Sequence, residues 1–467
     1  MPHLCIRDLV EITGGRLRLG DMPPLGGELE PLGRVVVDCG QVQPGDVFWS
    51  LEREAGREDL PEEAFARSAL GVVTSGRRVE PWAGKFAIQV DDSRAALRQL
   101  VRAVRCRYTG FVVAVAGHTG KTTAATWMEA VLAARGTGIR PAPAASAEFD
   151  PRSLLELTVD RRFGVFELPG PAATDTAAFL EQAQWISPHA AVLLNAQAGW
   201  PESTDLTRVT RQIQALRDAL PSEGMLIVNG DDELITRALP AATEQILRIG
   251  RGTRCDWAAS SVRLGEAGLE FSVDGLRLRV PAAGRHQLLP ALAAYAVGRL
   301  AGIHSSEIAR RLAQVSPPEG TCRVLQRRDL TVLADCPRGR PVAAQAALAA
   351  LRDVPVTGRR IVLAGDLFRD HTQAVELTRR YGDAAVTRFG ADVVVSFGSR
   401  AEELTAAVRA AGLGVRQAVT AAEADEAVDW VRRGCRTGDA ILVTGATADE
   451  TRRLTERLTR VSGSAAA

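Results

Sequence analysis

The stretch GHTGKTT, residues 117–123, places two glycines, a lysine and paired threonines in an order that suits phosphate chemistry. Glycines let backbone N–H groups close around phosphate oxygens, and a lysine neutralises the β- and γ-phosphates. The hydroxyl that follows the lysine is a ligand for Mg²⁺. Gly117, Gly120, Lys121 and Thr122 are therefore candidates for holding a nucleotide triphosphate. Against the full spacing G-x-x-x-x-G-K-[ST], the first glycine is replaced by Val115. Residue usage supports a chemical role for the lysine. Only Lys85 and Lys121 are lysines, and every other basic side chain except histidine is arginine.

Such a loop works only between a strand and a helix N-terminus, where the helix dipole adds positive charge. The flanks fit, because the apolar run FVVAVA precedes it and TTAATWMEAVLAA follows. FGVFEL, HAAVLLN and GMLIVNG are further short, bounded apolar runs of the kind that buried parallel strands show. RHQLLPALAAYAVGRLAG reads as a long helix, and the proline–glycine cluster SPPEGTCR marks a boundary. Beyond it, DLTVLADC, RRIVLAGD, ADVVVSFG and DAILVTG alternate with helical stretches. Before the loop, RVVVDC, DVFWSL, GVVTS and FAIQV surround a helix near EEAFARSAL. The expectation is an α/β protein of three domains. A small N-terminal α/β module spans 1–108, a central P-loop parallel-sheet ATPase domain 109–317, and a C-terminal Rossmann-like, doubly wound domain 318–467. The terminal SGSAAA is expected to be disordered.

Composition narrows the classes. At 467 residues and 46% hydrophobic, the chain can bury several cores, and a formal charge of +1 gives no footing for nucleic acid or a membrane surface. No apolar run reaches a membrane-spanning length, so a cytoplasmic protein is expected, and a monomer. Seven scattered cysteines without a C-x-x-C spacing read as reduced thiols rather than a disulfide framework or a zinc site.

The shortened loop with its second threonine, Thr123, resembles the ATP site of the Mur ligases, and other segments follow in order. VDCGQVQPGDVFWSL resembles the N-terminal domain of the type that adds D-alanyl-D-alanine to a UDP-N-acetylmuramoyl tripeptide. VNGDDE and GRHQLLPALAAYAVGRLAGI resemble central-domain segments; LAGDLFRDHTQAVEL and TGDAILVTGATADE resemble C-terminal ones. The resemblance implies an ATP- and Mg²⁺-dependent ligase of peptidoglycan precursor synthesis, acting on a nucleotide-sugar peptide and a dipeptide. ATP phosphorylates a carboxylate, an amine attacks the acyl phosphate, and phosphate leaves. It also implies that Lys121 and Glu167 are catalytic, Glu167 being a magnesium ligand beside Thr122. Asn195, Gln287 and Asp335 would contact the nucleotide, Gln287 standing where the family's adenine-contacting asparagine is. Asp231 and Asp232 match the family too, but read equally well as a helix cap, and His286 reads as structural.

Departures from the family are concentrated at ligand-facing positions. Trp200 stands for a magnesium-binding histidine, and about Ile213 for a carbamylated lysine. In the loop resembling Asp-Asp-x-Tyr-Asn-Ala-Asn-Pro, both asparagines become Arg338 and Arg340, which could bind phosphate but accept no hydrogen bonds. The family's Lys-Gly-Ser-Arg is TGAT at 444–447, its substrate loop is SAEFDP with only Pro151 kept, and its first-domain Ser-Arg is Cys39–Gly40. Two readings stay open: an active ligase with altered metal ligation, and a catalytically impaired homologue that binds ATP or acts as a scaffold or regulator. A plain P-loop ATPase or kinase accounts for less of the chain.

Overall fold

In a computed structural model, the four apolar runs of the middle segment become neighbouring strands, each ended by a glycine, an asparagine or a charged residue. The structure describes residues 4–459 except 52–59, 77, 142–149, 170–175, 197–205, 240–243, 266–267, 319, 328–329, 338, 370 and 446. Phe111–Ala116, Phe163–Glu167, Ala190–Leu193 and Met225–Asn229 join three further strands in a seven-stranded, all-parallel sheet. Its order runs from Trp257–Ala258 through Ile246–Gly250, Met225–Asn229, Ala190–Leu193, Phe111–Ala116 and Phe163–Glu167 to Gly138–Ile139. Phe111–Ala116 thus has a later strand on either side. Its carboxyl end is where an open α/β sheet leaves a ligand crevice.

Alternation along that strand builds two cores. Val113 and Val115 pack with Trp127, Met128 and Val131 of helix Lys121–Leu132 and with Leu292 and Tyr295 of helix Leu288–Leu300. Val112, Ala114 and Ala116 face the other way, into a core shared with helices Thr176–Ile186 and Leu206–Asp218.

Strand–helix alternation does not persist to the end of the middle segment. Ser260–Gly265, Gly268–Val273 and Leu276–Val280 form a three-stranded antiparallel sheet. The period-2 pattern of GLEFSVDGLRLRV buries Leu269, Phe271 and Val273, and Asp274–Gly275, both at positive φ, make a two-residue hairpin turn.

The first segment is a five-stranded sheet whose edge strand Arg16–Leu19 runs antiparallel to Phe86–Gln89. In the last segment Leu330–Asp335, Ala440–Thr444, Arg360–Ala364, Val393–Ser396 and Ala418–Thr420 are parallel, with Arg323–Arg327 antiparallel on the edge. Helices cover both its faces, Pro341–Asp353, Ala374–Thr387 and Ala401–Ala410 on one and Ala424–Gly434 and Ala448–Thr459 on the other. This is the doubly wound arrangement expected. The middle and last segments meet closely, for Ala283 is part of the last segment's core. All seven cysteines are free thiols, and no helix among the described residues is long and apolar enough to cross a membrane.

Candidate active site

Residues 117–120 leave the carboxyl end of Phe111–Ala116 and turn into helix Lys121–Leu132. Two glycines are dictated by geometry. Gly117 has φ +134, and a Cβ there would lie 3.2 Å from Asn195 N; Gly120, at φ +78, caps the helix. Asn195, just past strand Ala190–Leu193, shapes the loop. Its Oδ1 accepts from His118 N at 2.8 Å and Thr119 N at 3.1 Å, and its Nδ2 donates to Thr119 O at 3.0 Å. The first helical N–H groups, from Lys121 to Thr123, have no carbonyl within the helix to meet and face the crevice, as anion binding requires.

Lys121 Nζ donates to Gly117 O at 2.7 Å. Burial, and then the nearby Arg340 cation, push the ammonium down to about 8, against the pull of Glu167. Thr122 Oγ1 donates to Glu167 Oε2 at 2.9 Å, which leaves Glu167 Oε1 buried with no partner. Burial raises the pKa of Glu167. A hydroxyl beside an orphaned carboxylate oxygen is a fitting donor set for a hard divalent cation. Thr123 is different, for its side chain is buried and only its backbone remains for phosphate.

The other expected contacts are set deeper. Gln287 lies in the short turn Arg285–Gln287 at 2% exposure, so in this conformation it offers no open amide. Pro290, three residues on, approaches Gly120. Asp335 ends strand Leu330–Asp335 and is also buried. Its Oδ1 accepts from Cys322 N at 3.0 Å and from the Cys322 thiol, Oδ2 has no partner, and burial lifts the carboxyl to about 7. His286 is half-buried with its Nδ1 enclosed and unpartnered, and desolvation drives it down to about 4. Asp232 is a helix cap, accepting from Leu234 N and Ile235 N, and its other oxygen takes Ala196 N at 2.9 Å. That second bond, which fixes the turn carrying Asn195, has no trace in the sequence pattern.

Ile213 points into the core at 2% exposure, so helix Leu206–Asp218 offers no ligand from that position. Among the described residues no group of three or more His, Cys, Asp and Glu side chains is arranged around a metal. Trp200, Arg338, residues 146–149 and the terminal SGSAAA lie outside the described residues. Arg340 does reach the loop, its Nη1 donating to His118 O at 3.4 Å. Thr444 is buried, Thr447 accepts from Glu450 N, and Cys39 is buried with its thiol directed to Leu60 O. A cavity of about 170 Å³ lined by Arg107, Tyr108, Arg135 and Arg161 opens at the opposite, amino-terminal edge of the sheet and takes no part in this site.

Two family models match. The Mur ligase middle domain covers residues 115–298, and the Mur ligase, glutamate ligase domain covers 322–447, together about two thirds of the chain. The chain belongs to the Mur ligase family. It is 26% identical to the UDP-N-acetylmuramoyl-tripeptide--D-alanyl-D-alanine ligase of Mycobacterium tuberculosis (strain ATCC 25618 / H37Rv), over 96% of each chain. The enzyme of that name from Escherichia coli (strain K12) is 24% identical over 87% of this chain and 88% of its own. The crystal structure of MurF from Acinetobacter baumannii superposes with a TM-score of 0.79 at 20% identity, covering 97% of this chain and 98% of its own. MurF ligase from Thermotoga maritima in complex with ADP gives 0.73 at 19%, covering 91% and 97%. At such identities the superpositions speak for the Mur ligase fold, three α/β domains in this order.

Proposed function

We propose that this chain is an ATP-dependent amide-bond-forming ligase of peptidoglycan precursor synthesis, joining D-alanyl-D-alanine or a related amine to a UDP-muramoyl peptide. It acts as a cytoplasmic monomer, with the segments 1–108, 109–317 and 318–467 as its domains. The observation that carries the reading is the loop itself, with Lys121 drawn in by Gly117 and Thr122 bonded to a carboxylate whose other oxygen is orphaned. A relative of that activity matches over almost the whole length.

The chain's own groups divide the work. The N–H groups at the start of Lys121–Leu132 and the Lys121 ammonium bind and orient the phosphates, and Asn195 keeps the loop open in that shape. Thr122 and Glu167 would hold Mg²⁺, which supplies charge neutralisation across the phosphates when bound. The γ-phosphoryl group passes to the substrate carboxylate, the amine displaces phosphate from the acyl phosphate, and a proton leaves the new amide. Phosphate release from ATP that needs both UDP-muramoyl tripeptide and D-alanyl-D-alanine tests the reading. ATP binding without such release overturns it.

A further inference from the structure

We propose that Arg340 grips the terminal phosphate of the bound nucleotide, so that the last domain supplies an arginine where a second metal site would otherwise bring positive charge. The proposal rests on the nucleotide reading of the loop but not on amide formation.

Position comes first. Arg340 caps helix Pro341–Asp353, with proline at the first helical position, and its Nη1 reaches His118 O, 222 residues away in sequence. The helix is held against the middle domain, because Gly284 (φ +87) lies so close that a Cβ there would come within 2.9 Å of Ala350 Cβ. Backbone bonds from Arg340 N to Pro337 O and from Ala344 N to Arg340 O fix the start of the helix. The guanidinium is therefore carried to the rim of the phosphate loop on rigid backbone.

Charge comes second. With its Nη1 on His118 O, Arg340 stands near enough for its charge to act on Lys121, Glu167 and Asp335. Two cations opposed across a crevice repel unless an anion lies between them, and a phosphate is an anion of the right shape for a planar guanidinium fork. The bond to His118 O is long and neutral at the acceptor, and a bond from a guanidinium to a phosphate oxygen is charge-assisted and stronger.

Chemistry comes third. Charge that develops on a transferring phosphoryl group must be met by fixed cations. Ile213 is a core residue, so helix Leu206–Asp218 brings no ligand from that position, and a guanidinium beside Lys121 and the Thr122–Glu167 pair would meet that charge. Arginine stands in this loop where the family pattern has asparagine.

Titration calorimetry of the full chain with Mg²⁺ tests this, using ADP and a non-hydrolysable ATP analogue as probes. The wild type is expected to bind the triphosphate more tightly than the diphosphate. Arg340→Ala should lose about tenfold or more in affinity for the analogue but less than about threefold for ADP, the scale of a charge-assisted hydrogen bond. Arg340→Lys should recover only part, since a point charge lacks the fork. Arg340 is exposed, and matching thermal melts will show that both variants fold. An equal loss for both nucleotides, or none, overturns the proposal. A wild type that binds neither nucleotide overturns it together with the nucleotide reading. A wild type that discriminates through Arg340 yet forms no amide supports the Arg340 proposal and removes the ligase reading alone.

Discussion

The Thr122 hydroxyl, in the first turn of helix Lys121–Leu132, and the Glu167 carboxylate, at the end of strand Phe163–Glu167, meet at 2.9 Å, spending one carboxylate oxygen and leaving the other buried and unpartnered. A buried carboxylate is retained at such cost where a cation completes it. Glu167→Gln should therefore lower Mg²⁺-dependent nucleotide affinity by about 10–100-fold. It should leave binding in EDTA unchanged. Calorimetry with ADP, with and without Mg²⁺, checks this, and equal losses in both conditions would assign Glu167 a purely structural role.

Lys121 makes binding pH-dependent. Its folded-state pKa is lowered from the ordinary 10.5 to about 8, so between these values the unfolded chain carries more protons and stability rises with pH. Bound phosphates reverse the cause by restoring the ammonium. Nucleotide binding should then take up a proton above pH 8, and affinity should fall as pH climbs further. Calorimetry at pH 9 in two buffers of different ionisation heat measures the uptake directly; none would contradict the assignment. Lys121→Ala should abolish binding.

Asn195 separates loop shape from phosphate contact. Asn195→Ala leaves the amides of His118 and Thr119 without their acceptor, which should cost about 1–2 kcal/mol in denaturant unfolding. Asn195→Asp keeps that acceptor but places an anion beside the phosphates and removes the donor to Thr119 O. The alanine variant should lose stability more than the aspartate variant, and the aspartate variant should lose ADP affinity more. The opposite ranking would mean that Asn195 acts on the nucleotide directly.

The layout of the fold was legible because buried strands need bounded apolar runs. FVVAVA, FGVFEL and HAAVLLN each became a strand of the parallel sheet, and RRIVLAGD and DAILVTG strands of the last one. The antiparallel sheet 260–280 escaped notice because half of each strand is polar, so its pattern resembles a surface segment until Asp274–Gly275 is read as a hairpin turn. At the site, Lys121 and Thr122 stood out by type and spacing, and Glu167 through the family resemblance. The burial of Gln287 and Asp335, and the hold of Asn195 on the loop, were not legible, for each depends on partners distant in sequence. His118 and Thr119 lie more than seventy positions from Asn195, and no local pattern joins them.

His286 gives the last prediction. It sits in the turn ahead of helix Leu288–Leu300, half-buried with its Nδ1 enclosed and unpartnered, and desolvation lowers it from 6.5 to about 4 against a weaker pull from Asp353. Because the folded value lies below the unfolded one, the unfolded chain binds the extra proton between about 4 and 6.5, and acidification through that window costs stability. Asp335 works in the opposite direction there, since its folded value of about 7 exceeds the ordinary 3.8. The comparison must therefore be between variants and not with an absolute curve. His286→Leu removes the ring's titration and keeps an apolar side chain in the space. It should flatten the decline in denaturant midpoint between pH 6.5 and 4 relative to the wild type, with a smaller difference at pH 8. Parallel acid limbs would mean that the ring charges as readily in the folded chain as in the unfolded one, and that its burial is relieved by local opening of the turn.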